Sequence, residues 1–328
     1  MKCLNMKDFT CIIILNYNNW EDTINCVNSV EIFNTSRIKY IVIDNGSTKT
    51  EVVSQLDNYF SKVYKEKYKR FDYEKDQIPN ELPYLSFVVS KQNDGYARGN
   101  NKGLVYAYND TSIEYVMILN NDILFVEDIL PRLIAGLSSI NDAAIVSPIL
   151  FKKDFQGLDY NCAKNNPGNW DIILTYLFFY RNFFGFLKRK NKRMFILQGN
   201  PEAVYAEKVE IELPSGSCML MSKSLMQEIG GFDPNTFLYY EEPILYKKIS
   251  GRRLKNYLFP NCRCIHLGAG STSSTSNMFV ARTTFESMSY YFKQYSHLSL
   301  FQSVVFIVAK HLFYMKIRFK DWIKLISK

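Results

Sequence analysis

Four apolar runs, each followed at once by a polar turn, limit most strongly what this chain can fold into. The runs cover residues 11–15, 40–43, 85–89 and 115–119, and their length and composition indicate buried strands. Between them lie segments with apolar residues at helical spacing, such as the one that follows Asp22. Strands that alternate with helices form a mostly parallel sheet with helices on both faces. The sequence therefore predicts an α/β fold.

Polar side chains stand at the points where the predicted strands end. The carboxyl ends of parallel strands meet at one edge of an open α/β sheet, which is where ligands bind. Asp122 offers a hard oxygen ligand of the kind that Mg²⁺ or Mn²⁺ takes when it bridges a protein to substrate phosphates. For any one of these segments alone, an ordinary polar turn is the alternative. The strand-end residues are Asn16, Asp44, Asn45, Asn93, Asn120, Asn121 and Asp122.

A glycine-rich segment at residues 93–103 opens a predicted helix. Around Gly95, backbone N–H groups at such a helix start can approach a phosphate or a sugar, and Arg98 can add a charged contact. A loop before a surface helix is the alternative. The first strand is followed by neither a G-x-G-x-x-G motif nor a P-loop, which disfavours a dinucleotide-dependent dehydrogenase and a P-loop enzyme.

Two adjacent carboxylates, Glu241 and Glu242, follow an aromatic run in the second half of the chain. Paired carboxylates repel each other, and burial beside aromatic rings raises the pKa of at least one of them. Such a group suits general-base work on a hydroxyl. The acidic first turn of a helix is an alternative that is compatible with this role. His266 is one of three histidines, and it is expected to matter only if the fold returns it to Asp122.

The composition narrows the choice of partners. The 328-residue chain carries a formal net charge of +8, and 15% of its residues are aromatic. Such a balance suits nucleic acid, anionic lipid or phosphorylated substrates. The basic residues cluster beside apolar stretches rather than along a groove, which disfavours nucleic acid. The seven scattered cysteines, an odd number, predict free thiols in a reducing cytosol.

Two segments combine apolar and basic residues in a way that is typical of a membrane interface. The first covers residues 172–187 and leads into a basic run at 188–193. The second begins at Leu300, with apolar residues on one helical face and a lysine at every fourth position from Lys316 on another. Lys310 interrupts its apolar run, so no stretch is expected to reach the ~20 residues that span a bilayer. Packing on the globular domain is the alternative for both segments.

Two local expectations complete the prediction of secondary structure. Residues 57–83 are rich in Lys, Tyr, Glu and Asp and are expected to form the end of a helix and a solvated loop. An amphipathic helix is expected from Val126 to Leu137, with Glu127 and Asp128 in its first turn.

Together the motifs resemble the inverting family 2 glycosyltransferases of the GT-A fold, in particular bacterial rhamnosyltransferase-like enzymes of surface polysaccharide assembly. The resemblance extends over roughly residues 10 to 270, in the order and spacing of the family. The residues that carry it are Asn16-Tyr17-Asn18, Asp44-Asn45-Gly46-Ser47, residues 93–103, residues 119–122, residues 216–221, Gly231-Phe232-Asp233, Tyr240-Glu241-Glu242 and His266.

The resemblance implies a role for each candidate residue. Asn16, Asp44 and Asn45 are expected at the nucleotide, with Asp44 reaching the base, and Asn93, Gly95 and Arg98 in the nucleotide-sugar pocket. Asn120-Asn121-Asp122 stands at the D-x-D position of the family, where Asp122 would hold Mg²⁺ or Mn²⁺ on the diphosphate. His266 stands where related enzymes supply a further metal or phosphate contact. Glu242 is assigned as the base, which deprotonates the acceptor hydroxyl.

The chain departs from the family pattern at two positions. Asn120 replaces the first Asp of D-x-D and is a weaker metal ligand. Pro243-Ile244 follows the two glutamates where the family often has a second acid. This second departure leaves Glu241 as an alternative base.

The family implies a Rossmann-like GT-A domain over residues 1–283, with a nucleotide-binding half at 1–123, an acceptor half at 124–283, and a helical membrane-associating tail at 284–328. The expected function is inverting transfer of a sugar from dTDP-rhamnose or a UDP-hexose to a glycan acceptor, lipid-linked at the anionic inner leaflet, by a cytoplasmic peripheral enzyme of surface polysaccharide synthesis. One alternative is a sugar-nucleotide pyrophosphorylase, but its glycine-rich loop is absent after the first strand. Another is a non-catalytic, membrane-bound assembly factor with a decayed site.

Overall fold

Within the described residues of this computed structural model, which are 9–177, 186–268 and 276–326, ten strands form one mixed sheet. Its order is β3-β4-β2-β1-β5-β11-β7-β12-β6, with β9 paired to β12, while β8 and β10 form a separate pair. The strands are β1 (Phe9–Asn16), β2 (Ile38–Asn45), β3 (Tyr68–Asp72), β4 (Leu85–Ser90), β5 (Ile113–Asn120), β6 (Ile123–Phe125), β7 (Ala143–Lys152), β8 (Ala163–Lys164), β9 (Val209–Ile211), β10 (Leu213–Pro214), β11 (Cys218–Ser222) and β12 (Lys255–His266).

Helices cover both faces of this sheet. Alternate residues of β1 show the two sides, because Ile12 and Ile14 belong to one hydrophobic core while Cys11 and Ile13 belong to another. The predicted α/β architecture with a mostly parallel sheet is therefore confirmed. The helices are α1 (Trp20–Phe33), α2 (Thr50–Tyr64), α3 (Gly95–Asn109), α4 (Leu130–Ser139), α5 (Asn169–Tyr176), α6 (Phe186–Met194), α7 (Ile196–Gly199), α8 (Lys223–Glu228), α9 (Glu241–Ser250), α10 (Asn277–Tyr291) and α11 (Leu300–Ile326).

The first five strands of the sheet order run parallel, and the strands beyond them are mixed. β2 and β5 flank β1 and pair with it in parallel, and β4 pairs in parallel with β2. β11 then lies antiparallel between β5 and β7. Because β1, β2, β4 and β5 all point the same way, their carboxyl ends form one continuous edge.

Two local predictions were wrong. Residues 57–83 contain the edge strand β3, whose Lys69 and Arg70 are exposed while only Phe71 is fully buried. Charged side chains are typical of edge strands, and here they conceal the alternation that marks a strand. The helix after β6 begins at Leu130, so Glu127 and Asp128 precede it. These two carboxylates instead accept hydrogen bonds from residues of distant segments.

The cysteines of the described residues are free and buried, as the sequence predicts: Cys11, Cys26, Cys162, Cys218, Cys262 and Cys264. Cys3 lies outside the described residues. Burial raises the pKa of the Cys162 and Cys262 thiols to about 12, so both remain protonated at neutral pH.

The carboxyl-terminal helices form a third hydrophobic core with the globular part of the chain. α11 packs on α5 and α10, and its buried residues Phe306 and Ala309 share this core with Ile244 of α9. Ile244 follows Glu242 by two positions, so the tail supports the helix that carries the candidate base. The boundary predicted at residue 283 lies within α10.

The opposite face of α11 is apolar and exposed. Its exposed residues include Phe301, Val304, Val308, Met315, Phe319 and Trp322. By length and composition alone, the segment Leu300–Ile323 is long and apolar enough to cross a membrane. The expectation that Lys310 makes it too short was therefore wrong. Residues 178–185 of the other segment predicted at a membrane lie outside the described residues.

Candidate active site

Strand register brings the first two polar turns into direct contact. Asn16 lies opposite Asp44 at the ends of β1 and β2, and its Nδ2 donates a hydrogen bond of 2.7 Å to Asp44 Oδ1. The backbone N–H of Ser47 donates to Asp44 Oδ2 at 3.0 Å. Asp44 is 1% exposed, and its carboxylate braces the turn after β2. The structure thus joins these predicted nucleotide contacts and fixes them rigidly at the edge of the sheet.

A second polar cluster joins the end of β2 to the start of α3. Asn45 Nδ2 donates to Asn93 Oδ1 and to the carbonyl oxygen of Gly95, each at 3.0 Å. Gly95 has φ +78°, and a Cβ there would lie 2.0 Å from the carbonyl oxygen of Phe237, so only glycine fits. Arg98 Nε donates to the carbonyl oxygen of Pro234 at 2.6 Å. The predicted nucleotide loop is thereby attached to the segment that leads to Glu241 and Glu242.

The turn after β5 is held on both sides. The backbone N–H of Asn120 donates to the carbonyl oxygen of Ser217 at 2.8 Å. Asn121 Nδ2 donates to Thr23 Oγ1 at 3.0 Å, and Thr23 Oγ1 in turn donates to Asn16 Oδ1 at 2.9 Å. These bonds leave Asp122 at a fixed position between β5 and β6.

Asp122 and His266 meet, as the sequence analysis required for His266 to matter. His266 ends β12 and lies opposite Ile123 in the antiparallel pairing with β6. Its Nε2 lies 3.3 Å from Asp122 Oδ2, and its Nδ1 lies 2.7 Å from Asp159 Oδ2. Burial lowers the pKa of His266, but the hydrogen bonds to the two carboxylates outweigh burial and raise it to about 10.

The two glutamates begin α9 and have different surroundings. Glu242 Oε1 accepts the backbone N–H of Gly216 at 2.7 Å, and Glu242 Oε2 lies 3.0 Å from Lys164 Nζ. Glu241 is 8% exposed, and its Oε1 is buried without a hydrogen-bond partner. Burial, with a smaller contribution from Glu242, raises the pKa of Glu241 to about 8. The predicted upward shift within the pair therefore occurs on Glu241.

The backbone immediately before the glutamates is strained. Tyr239 and Tyr240 both have φ +70°, in the left-handed region that residues with a Cβ seldom adopt. Such strain persists only where the surrounding structure imposes it, and it concentrates at functional sites. The Tyr240 ring packs on Tyr291 of α10, with ring centroids 5.3 Å apart, so the third core holds this conformation. The strained turn lies directly before the start of α9, which carries Glu241 and Glu242.

One cleft of about 550 Å³ brings several of the predicted residues together. Asn120, Glu241, Glu242 and His266 line it, beside Tyr96, Lys164 and Gly216. The other predicted residues are not part of this lining: Asn16, Asp44, Asn45, Asn93, Gly95, Arg98, Asn121 and Asp122. Asp122 is 3% exposed and lies directly behind His266.

Sequence reasoning missed two charged residues of this site. Asp159 and Lys164 fall in the segment from 151 to 210, which has neither the strand nor the helix periodicity of the rest. Asp159 holds the second ring nitrogen of His266, and Lys164 pairs with Glu242. Asp159 lies in a loop and Lys164 in the two-residue strand β8, and neither residue has a local sequence signal of function, so only the folded chain identifies them.

The mixed α/β sheet has polar strand ends along one edge, beside a cleft lined by His266, Glu241 and Glu242, which is the architecture expected of a GT-A fold. The model of glycosyl transferase family 2 matches residues 11–230, and the chain belongs to this family. The predicted family is therefore confirmed.

One known protein is similar to this chain in sequence, and two solved structures are similar to it in fold. The low-salt glycan biosynthesis hexosyltransferase Agl10 of Haloferax volcanii is 26% identical over 238 residues, which cover 72% of this chain and 60% of the relative. GalNAc-T7, solved with UDP, GalNAc and Mn²⁺, superposes with a TM-score of 0.54 at 13% identity. The superposition covers 79% of this chain and 43% of the GalNAc-T7 chain. The mannosyltransferase PcManGT of Pyrobaculum calidifontis, solved with GDP-Man and Mn²⁺, superposes with a TM-score of 0.52 at 13% identity. The superposition covers 93% of this chain and 68% of the mannosyltransferase.

Proposed function

We propose that this protein transfers a hexose from a nucleotide-sugar donor to a hydroxyl group of a glycan acceptor, with inversion at the anomeric carbon. The observation that carries the proposal is that His266, which contacts Asp122, and Glu242 line the same cleft. This shared lining supports a diphosphate site near His266 and a base at Glu242 that serve one reaction space. The name of the Haloferax relative, a hexosyltransferase of glycan biosynthesis, supports the same reaction class.

A divalent cation, Mg²⁺ or Mn²⁺, fits Asp122 and, once its binding displaces the Nε2 proton, His266, whose pKa the two carboxylates raise to about 10. Asp122 Oδ1 is buried without a hydrogen-bond partner, which is costly unless a ligand satisfies it. No group of three His, Cys, Asp or Glu residues suited to a metal occurs in the part of the chain that the structure describes. The remaining ligands would therefore be phosphate oxygens and water. When bound, the cation stabilises the charge that develops on the departing nucleoside diphosphate.

Glu242 is the base in this proposal. Its carboxylate faces the cleft, and its side chain is 26% exposed, so an acceptor hydroxyl can reach it. The Gly216 N–H and Lys164 hold both oxygens in place, which orients the group before the acceptor arrives. Glu241, with its pKa raised to about 8, holds its own proton at neutral pH. Glu242 takes the proton as the hydroxyl attacks, and a single displacement without a covalent intermediate inverts the configuration.

The donor is tested by thermal shift over a panel of dTDP-, UDP- and GDP-sugars, dTDP-rhamnose included, with and without Mn²⁺. A ligand that binds only the folded state raises the melting temperature, by an amount that grows with its concentration over Kd. We expect a Mn²⁺-dependent rise with one nucleotide class, together with slow hydrolysis of that nucleotide-sugar to free nucleotide.

An absence of both signals over the whole panel would contradict the transferase proposal. It would favour a non-catalytic assembly factor. The burial of Ile244, at the position where the family often has a second acid, is the observation consistent with that alternative.

The acceptor and the location are also part of the proposal. We place the protein at the cytoplasmic face of the cell membrane, with α11 lying in the interface and the acceptor attached to lipid. This placement is supported by the two faces of α11. One face packs on α5 and α10, and the other is apolar and exposed. A helix that is packed along one side and apolar along the other suits the plane of an anionic membrane surface.

Substitution of two exposed apolar residues tests this placement. Phe319 and Trp322 are 59% and 56% exposed, so Phe319→Ser/Trp322→Ser should leave the fold intact and lower binding to anionic vesicles by about tenfold or more. Vesicle co-sedimentation measures the effect. Ile32→Ser on α1 is the matched control, because Ile32 is 74% exposed on another surface. Equal loss of binding in both variants would remove α11 as the membrane contact.

A further inference from the structure

A second cavity, of about 510 Å³, lies between α5, α10 and α11. Two of its lining residues, Tyr176 and Thr284, also line the candidate active-site cleft. The cavity and the cleft therefore adjoin, with this pair of side chains in the wall of each. We call this cavity the tail groove, since α11 forms one of its walls.

The tail groove combines an apolar wall with positive charge. Val280, Phe285, Phe313 and Ile317 contribute hydrocarbon or aromatic surface from α10 and α11. Lys316 and Lys320 stand one helical turn apart on α11, so their ammonium groups lie on the same side of it. No carboxylate occurs among the described residues that line the groove. This chemistry matches an amphiphile with a hydrocarbon chain and an anionic head group.

A further cation is attached to α5, outside the lining of both the groove and the cleft. Lys190 of the basic helix α6 donates a hydrogen bond to Thr175 Oγ1, and Thr175 directly precedes Tyr176 in α5. The basic run predicted from the sequence is thereby attached to the helix that carries Tyr176. The groove wall itself contributes Lys316 and Lys320, and two ammonium groups one helical turn apart favour an anionic group such as a phosphate.

We infer that the tail groove binds the lipid phosphate of the acceptor, so that the attached sugar enters the cleft past Tyr176 and Thr284. This inference rests on the proposed function, because it is the acceptor hydroxyl that must reach Glu242. The lipid and phosphate parts of the acceptor then lie in the tail groove, whose walls are apolar and basic. The cavity volume falls within the range of about 300–1,000 Å³ that is usual for small-molecule sites.

The test uses farnesyl phosphate as the probe, with the full-length protein and isothermal titration calorimetry. Farnesol lacks the anion, and inorganic phosphate lacks the hydrocarbon chain, so each isolates one half of the recognition. We expect farnesyl phosphate to bind about tenfold or more tightly than either comparator. Lys316→Ala/Lys320→Ala should weaken farnesyl phosphate by about tenfold or more while leaving farnesol nearly unchanged.

A second variant tests the hydrocarbon part separately. Val280→Trp fills the groove and should abolish binding of both farnesyl phosphate and farnesol. Phe319→Ser/Trp322→Ser, on the exposed face of α11, should bind farnesyl phosphate like the wild type. Unchanged affinity in both the Val280→Trp and the double-lysine variants would overturn the inference. The inference would also be overturned by two results together: no binding of farnesyl phosphate to the wild type, and weaker binding of the double-lysine variant to anionic vesicles. The two lysines would then contact the membrane surface rather than a lipid phosphate in the groove.

The donor-induced thermal shift, measured in the same variants, separates this inference from the proposed function. A wild-type protein that binds its nucleotide-sugar but not farnesyl phosphate would refute the tail groove as a lipid phosphate site and leave the transferase proposal intact. Failure of nucleotide-sugar binding in the wild type would refute the transferase proposal itself. A retained donor shift in Val280→Trp also shows that this variant is folded.

Discussion

Glu242→Gln is expected to lower the rate of sugar transfer by about 10²- to 10⁴-fold, the range that a general base contributes. The amide keeps the shape of the carboxylate, and its oxygen can still accept the Gly216 N–H, so the N-terminus of α9 should stay in place. It cannot take a proton from the acceptor hydroxyl at neutral pH. Nucleotide binding should remain, because the donors at Asp122 and His266 are unchanged. Release of free nucleotide with acceptor present measures the rate, and the donor thermal shift measures binding.

Glu241→Gln is the matched control for this prediction. Glu241 is protonated at pH 7, because its pKa lies at about 8, and a neutral amide is therefore a close substitute. We expect its transfer rate at pH 7 to stay within several-fold of the wild type. Full activity in Glu242→Gln together with a large loss in Glu241→Gln would transfer the role of base to Glu241.

The protonation state of Glu241 has a readout of its own. The folded protein retains a proton that the unfolded chain releases above its usual pKa of 4.5. The stability associated with this proton is fully present below pH 4.5 and is lost as the pH rises toward 8. The melting temperature of Glu241→Gln should therefore fall less than that of the wild type over this interval. Identical profiles would show that Glu241 is already ionised in the folded protein.

The sheet and its polar edge were predictable because they depend on local sequence. Strands that are buried on both faces require uninterrupted apolar runs, and β1 and β5 are marked by them. The polar residues that end these runs must meet at one edge, because parallel strands point the same way. That is why Asn16 and Asp44, which are 28 residues apart in sequence, are found in direct contact.

The rest of the site depends on long-range pairing that leaves no local trace. His266 reaches Asp122 only because β12 pairs with β6. From the sequence, a role for His266 depended on such a contact, but the contact itself could not be predicted. Asp159 lies in a loop that is bonded to β7, and Lys164 lies in the short strand β8, whose position is set by its pairing with β10. The edge strand β3 was missed for a related reason, since its exposed charges, Lys69 and Arg70, outweigh the buried Phe71 in the sequence pattern.

For the carboxyl-terminal helix α11, two alternative predictions from one sequence pattern are both compatible with the structure. The sequence allowed α11 to lie on a membrane or to pack on the globular domain. In the structure Phe306 and Ala309 pack, while Phe301, Val304 and Val308 of the same helix are exposed. A helix with apolar residues on more than one face satisfies both, and a single hydrophobic stripe could not have done so.

Asp122→Asn is expected to abolish the Mn²⁺-dependent part of the nucleotide thermal shift. This substitution keeps the side-chain volume but removes the negative charge, and neutral amides are weaker ligands for hard cations than carboxylates. The buried Oδ1 of Asp122, which has no hydrogen-bond partner among the described residues, is the atom that the cation would use. The melting temperature without metal and nucleotide provides the check on folding. A variant that keeps the whole Mn²⁺-dependent shift would place the cation away from Asp122.

Asp159→Asn provides the graded comparison for the same assay. Asp159 contacts only the Nδ1 side of the His266 ring, at 2.7 Å, and is thus a positioning residue for that ligand. Residues that orient a metal-binding histidine typically contribute about 10–100-fold in metal affinity. Titration of Mn²⁺ at saturating nucleotide should therefore show a higher metal requirement in Asp159→Asn and no saturable requirement in Asp122→Asn. This order follows from the geometry, because Asp122 offers an oxygen to the cation itself whereas Asp159 acts through the imidazole ring.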